Sequence, residues 1–367
     1  MKKMLVLVAL LTLARPAFAQ LGGLGGVLKK AQEAKAQLDD IVVSEAEERQ
    51  IGEDVSGRIR QRFGVVQDPA VHKYVALVGT ALVQQSDRPQ LAWTFIVLDT
   101  DGVNAFASPG GFVHITRGAL GLIRNEAELA GVLGHEIAHV TRKHTVNALQ
   151  KNKAVATGVN SAAGGRSALL EQMANQAYAM VLENSFDRGD ELDADRVGVQ
   201  LAQRAGYAAG LGDFLARLDE RNKDQAERNG LFASHPETKE RIAKIQQLSA
   251  GNKNTARGEA RYKETIHYEA TAITSIAVIT EGSAGLTGSG SGTKEEPKKD
   301  EPAKPKSFGL STLKPTASQG QQSTQVSASG GARGLGADRA AKGGSNPAPV
   351  RVTVTPAEVE AFKKAIA

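Results

Sequence analysis

Apolar residues recur at helical spacing through most of the first 250 positions, with one interruption. Val27, Ala31, Ala34, Leu38 and Val42 punctuate the charged stretch 27–63 and predict one or two helices, and residues 69–85 predict another. The period then changes. Residues 93–98 and 111–116 read as strands, with residues 104–111 between them as a strand end and turn. From Asn125 the helical period returns over 126–144, gives way to a small-residue stretch as far as Gly165, and resumes over 167–182, 187–205, 210–223 and 238–248. Helices beside a small sheet predict a mainly helical α+β domain.

Beyond Gly251 the pattern thins. Residues 251–280 hold a β-branched run (Ile266, Ile273, Ile276, Val278, Ile279) that predicts a strand or hairpin extension. Residues 281–349 are Gly-, Ser-, Lys-, Pro- and Gln-rich and read as a disordered linker. Residues 350–354 alternate like a short strand. Thr355-Pro356-Ala357-Glu358 then combines an N-cap, Pro at the first helical position and Glu at the third, so residues 350–367 end in an amphipathic helix with Val359, Phe362 and Ile366 on one face. That face can dock on the domain or on an envelope partner, docking in cis being the simpler.

At the other end, Lys2 and Lys3, the apolar run 4–13 and Ala17-Phe18-Ala19 before Gln20 form the three regions of a cleavable signal peptide, residues 1–19. A run of ten is too short for a stable membrane span, which needs about 20 residues. The expectation is export to the periplasm, secretion being the alternative.

Composition narrows the chemistry. Cys is absent, which removes disulfides and thiolate ligands together, so a metal must be held by His and carboxylate. The net charge of +5 divides into +3 for residues 1–19, +5 for 251–367 and −3 for 20–250. A slightly acidic folded region argues against nucleic-acid binding.

The sharpest feature is His135-Glu136-Ile137-Ala138-His139 within a predicted helix. Residues four apart share a face, so two imidazoles can reach one ion, while Glu136 is turned about 100° toward a bound water. By chance the pattern arises in about one chain of this length in a hundred. A catalytic zinc site needs a third ligand. Arg142 and Thr145 occupy the positions where a metzincin has Gly and His, and no acid lies between His139 and Glu171. The acidic segment 188–196 supplies the candidate: Glu191 and Asp195 share a face that Gly198 and Ala202 continue, and those small residues allow close approach to the histidine helix. Asp195 is then placed to accept the free N–H of a ligand histidine. Taken alone, an acidic helix start is ordinary dipole capping. Asp190 and Asp193 are expected to be solvated, and His144, off the ligand face near a helix end, to lie at the surface. His114 reads as a strand-face residue. His72 and His267 have no partners in view, and Arg188 either pairs with an acid near the site or is solvated.

Several motifs now agree in order: residues 104–111, residues 125–134 running into the histidine pair, residues 188–195, and Ser234-His235-Pro236 followed by Arg241-Ile242. Over roughly residues 40–250 the chain resembles the zinc metallopeptidases that include the CAAX prenyl endopeptidases, HtpX and BepA, in a soluble exported branch. The resemblance implies a metallopeptidase domain over 20–250, one Zn²⁺ per chain on His135, His139 and Glu191, and Glu136 as general base and later proton donor. It also implies a site role for His235, as stabiliser of the oxyanion or as a reversible fourth ligand that keeps the enzyme latent. Asn104, Ala105, Phe106 and Ala107 become a substrate edge strand, whose main-chain groups would pair with an extended peptide. The expected activity is hydrolysis of misfolded or unassembled exported polypeptides. The rival is a chaperone-like binding module on the same fold with little proteolysis.

Overall fold

The computed structural model describes residues 42–156, 165–182, 186–222, 238–272, 277–279, 326–328 and 346–366. The predicted signal peptide, most of the predicted linker and Ser234-His235-Pro236 lie outside the described residues.

Helix α1 (Glu45–Phe63) begins at a capping box in which the Ser44 hydroxyl accepts from the Glu47 amide and Glu47 accepts from the Ser44 amide. Its residues Ile51, Val55, Ile59 and Phe63, four apart, form one buried face. Helix α2 (Pro69–Val83) is capped by Asp68 and has Pro at its start. Strands β1 (Thr94–Leu98), β2 (Ala105–Ser108) and β3 (Phe112–Thr116) form a mixed sheet in the order β1-β3-β2, with β1 parallel and β2 antiparallel to the central β3. The turn between β2 and β3 uses positive φ at Gly110 and Gly111.

Helix α3 (Arg117–Leu122) leads into α4 (Glu126–Thr141), capped by Asn125. The helix predicted over 126–144 is in fact two. Lys143 takes the left-handed conformation at φ 57°, and α5 (His144–Ala156) starts immediately after it, within the stretch read from sequence as merely small residues. Val146 and Leu149 explain that helix: one turn apart, both are buried. Then follow α6 (Gly165–Leu182), α7 (Arg188–Arg204), α8 (Leu211–Asn222), α9 (Thr238–Ser249) and α10 (Glu259–Thr265). Where the β-branched run predicted a strand or hairpin, the chain forms α10 first. Among the described residues of that run the strand is β4 (Ala277–Ile279), and it pairs with β5 (Val326–Ala328), a strand inside the predicted linker.

Both faces of the sheet are covered. Phe95, Val97, Val113 and Ile115 join the larger core with α2, α4, α7 and α8. Ile96, Leu98 and Phe106 join a smaller core with α1, α5 and α6. His114 shares the register of Ile96 and Phe106, so it faces the smaller core, fully buried, where its Nε2 meets the Ser56 hydroxyl at 2.9 Å.

The chain returns to this body at its far end. Asn346 accepts from the Val65 amide, and Pro347 and Ala348 accept from Arg60 and Gln67. Residues 350–354, predicted as a strand, form no strand among the described residues, and Val352 and Val354 pack on the larger core. Helix α11 (Pro356–Lys364), with the predicted Thr355–Glu358 capping box, docks in cis. Glu358 pairs with Lys73 at 2.6 Å, Phe362 packs edge-on against Tyr74, and Val359, Phe362 and Ile366 are buried.

Candidate metal centre and active site

Helices α4 and α7 cross at Gly134 and Gly198. A Cβ on Gly198 would lie 2.7 Å from the His135 amide nitrogen, and one on Gly134 would lie 2.8 Å from the Gly198 carbonyl oxygen. Only paired glycines permit that approach. It brings Glu191, in the first turn of α7, against the histidines one turn apart on α4.

The three side chains converge through the atoms a metal would use. His135 Nε2 and His139 Nε2 are 3.1 Å apart, with Glu191 Oε2 at 3.5 Å from the first and Oε1 at 3.4 Å from the second. All three residues are buried, and their donor atoms lie within 4.8 Å of one another. Tetrahedral ligands bound at about 2.0–2.2 Å sit roughly 3.3 Å apart, so spacing and donor set both fit zinc.

The outer nitrogen of His135 is held by an anion. Its Nδ1 lies 2.9 Å from Asp195 Oδ1, the place expected for Asp195. Asp195 in turn accepts two bonds of 2.7 Å from Arg241 on α9, and Arg241 also reaches Glu191 at 2.8 Å. Burial opposes the charged form of His135, but the bonds to Asp195 and Glu191 prevail and lift it to about 9. Burial likewise opposes charge on Asp195, and the bonds from Arg241 and His135 overcome it, leaving the carboxyl at about 2. Arg241 entered the sequence reading only as part of a motif; its sequence signal is a cation one turn before the fully buried Ile245 on the same face.

His139 has a different outer partner. Its Nδ1 lies 3.0 Å from His144 Nδ1, and His144 is buried, not at the surface as predicted. The left-handed Lys143 turns the chain back so that the first residue of α5 meets the last turn of α4. His144 Nε2 faces Asp193 at 3.4 Å and Asp190 at 3.7 Å. These two acids, predicted as solvated, are only about a quarter exposed. Burial keeps His144 below the usual histidine range despite them. Phe186 covers the His139 ring at 4.1 Å between centroids.

Glu136 is buried beside the pair, in a small cavity with His135, Val132, Phe214 and Arg241, where its charge helps to keep Arg241 protonated. Strand β2 does lie at the sheet edge, and Ala107, Ser108 and Pro109 share a second small cavity with His139 and Lys143. At Asn104 the expectation of free main-chain groups needs correction, and the strand is not exposed. Asn104, Ala105, Phe106 and Ala107 are all buried, packed by α4, α1 and α6, and both backbone groups of Asn104 are engaged by Thr116. Arg188 pairs with Glu240 at 2.8 Å, next in the chain to Arg241, His72 is buried against the Val66 carbonyl, and His267 is exposed. His235 lies outside the described residues.

Two helical histidines and a carboxylate from a second helix, with a glutamate next to the first histidine, define a metallopeptidase-type centre. Comparison agrees: residues 69–249, just under half of the chain, match Peptidase family M48. The chain is 28% identical over 214 residues to the beta-barrel assembly-enhancing protease of Escherichia coli, covering 55% of this chain and 43% of that one. It is 28% identical over 204 residues to the mitochondrial metalloendopeptidase OMA1 of Schizosaccharomyces pombe, covering 54% and 60%. With the metalloprotease YcaL of Escherichia coli it shares 27% over 162 residues, covering 42% and 61%. It thus spans less than two thirds of the length of each. Among the described residues, no helix is long and apolar enough to cross a membrane.

Proposed function

We propose that this chain is a zinc-dependent endopeptidase of the periplasm that hydrolyses misfolded or unassembled exported polypeptides. The carrying observation is the buried His135–His139–Glu191 cluster, whose 3.1, 3.4 and 3.5 Å spacings suit one tetrahedral ion. Zinc held there supplies Lewis acidity, polarising the scissile carbonyl and acidifying a water. Glu136 accepts the proton of the attacking water and returns it to the leaving amine. Asp195 accepts a hydrogen bond from His135 Nδ1–H, which keeps the proton on that nitrogen and leaves Nε2 free to donate to the metal. His235 acts on the same centre, stabilising the oxyanion or closing the fourth position.

Pairing along β2 would select extended chains through main-chain bonds, a mode indifferent to side chains and suited to unfolded clients. With residues 104–107 buried, it requires the covering helices to yield. The signal pattern of residues 1–19 supports export, and the name of the first bacterial relative supports unassembled envelope proteins as clients.

The test is metal analysis with cleavage of an unfolded protein. The parent should hold one zinc. Glu136→Gln should keep it and lose about 10²–10⁴-fold in turnover. Glu191→Ala should lose the zinc, and His235→Ala should keep it while turnover changes. A metal-free parent, or undiminished cleavage by Glu136→Gln, would overturn the reading.

A further inference from the structure

The two histidines of the centre are backed unequally. His135 Nδ1 meets a carboxylate that Arg241 clamps, whereas His139 Nδ1 meets another imidazole, at 3.0 Å. His139 directs Nε2 at His135 and Glu191, so when that nitrogen donates to a metal the ring proton must sit on Nδ1. The atom that faces it, His144 Nδ1, must then accept. A neutral His144 that accepts at Nδ1 carries its own proton on Nε2, which is the nitrogen facing Asp193 and Asp190. Every hydrogen in the chain from metal ligand to carboxylate is then assigned. Asp193 is itself fixed, since Arg142 and Arg196 both donate to it.

We propose that His144 is a positioning residue for the metal centre: as acceptor from His139 Nδ1–H it fixes the tautomer and ring orientation of that ligand, and Asp193 orients His144 in turn. This rests on the reading of His139 as a metal ligand. The fold supports a specific placement, since Lys143 is the described non-glycine residue with positive φ and its turn is what carries His144 back over His139. A ring needed only for packing would not call for nitrogen facing nitrogen at hydrogen-bond distance.

The experiment compares zinc affinity, by competition with a chromophoric chelator, for the parent, His144→Phe, His144→Ala and His144→Asn. Phe keeps the ring without the acceptor, Ala cannot overpack the site, and Asn restores an acceptor near the position of Nδ1. The expected result is affinity weakened about 10–100-fold in Phe and Ala and largely restored in Asn. Thermal unfolding without zinc should be close to the parent in Asn. If Phe does not fold, Ala against Asn carries the comparison. Parental affinity in the acceptor-less variants overturns the proposal, as does an Asn variant as weak as Ala, which would mean packing alone. A parent that binds no zinc overturns the metal reading itself, a result separable from both.

Discussion

Burial does not pick out a ligand; the partner does. Among the described histidines His267 is exposed, while His72, His114, His135, His139 and His144 are buried. His72 meets a carbonyl and His114 a hydroxyl, and neither can offer a proton acceptor strong enough to hold an imidazolium. Desolvation therefore drives His114 down to about 3, with nearby Arg60 adding to the effect of burial and a backbone bond opposing both. Its unfolded value is about 6.5. The native state then refuses a proton that the unfolded chain takes up, so this stability is complete above about 6.5 and is lost as pH falls toward 3. Within that window the loss approaches about 1.4 kcal/mol per pH unit. His114→Gln can keep a polar group near Ser56 without titrating, and urea unfolding from pH 7 to 4 should show a flatter decline than the parent. Equal slopes would mean that His114 titrates in the native protein as it does unfolded.

At the scale of elements, the centre depends on how closely two helices approach. Small residues at 198 and 202 were visible in the sequence as a stripe on the face of Glu191, and the periodic pattern was enough to find α4 and α7. What the stripe could not reveal was the glycine opposite, because Gly134 becomes meaningful only when the crossing point is known. Lys143 is illegible for a related reason: it breaks the helix with neither Gly nor Pro, so the periodic pattern runs on to 144 and points His144 to solvent. Arg241 was legible as a residue but not as a bridge, since Asp195 and Glu191 are about fifty positions away along the chain. The crossing makes a sharp prediction. Gly198→Ala puts a methyl 2.7 Å from backbone that cannot move aside, and should cost about 1–3 kcal/mol by denaturant unfolding while lowering zinc content. Gly57→Ala, on α1 where an added Cβ would meet only an arginine tip at 3.7 Å, should instead stabilise by about 0.5–1 kcal/mol and leave zinc content alone. Matching signs for the two would show that helix propensity, not the crossing, governs Gly198.

For the whole molecule, the composition shift after residue 250 predicts the end of the domain, yet Phe362 and Ile366 are part of its core. Patterning identified α11 and its cap and favoured docking in cis, as found, but a low-complexity stretch carries no signal of which surface receives Val359, Phe362 and Ile366. In the structure Phe362 lies between Tyr74 on α2 and the guanidinium of Arg261, 4.5 Å from the ring centre, while Asn346 caps the exit from α1. Those contacts share no residue with the proposed metal ligands. Phe362→Ala should therefore cost about 3–5 kcal/mol, as for other buried Phe side chains, and ending the chain at residue 345 should cost at least as much. Zinc per folded chain should stay at the parental level at a temperature where both variants remain folded. Urea unfolding and metal analysis on the same samples check the two halves. If the segment serves instead as an arm for a partner, its removal would leave the unfolding midpoint where it was, because a face held for another protein contributes nothing to this one's stability.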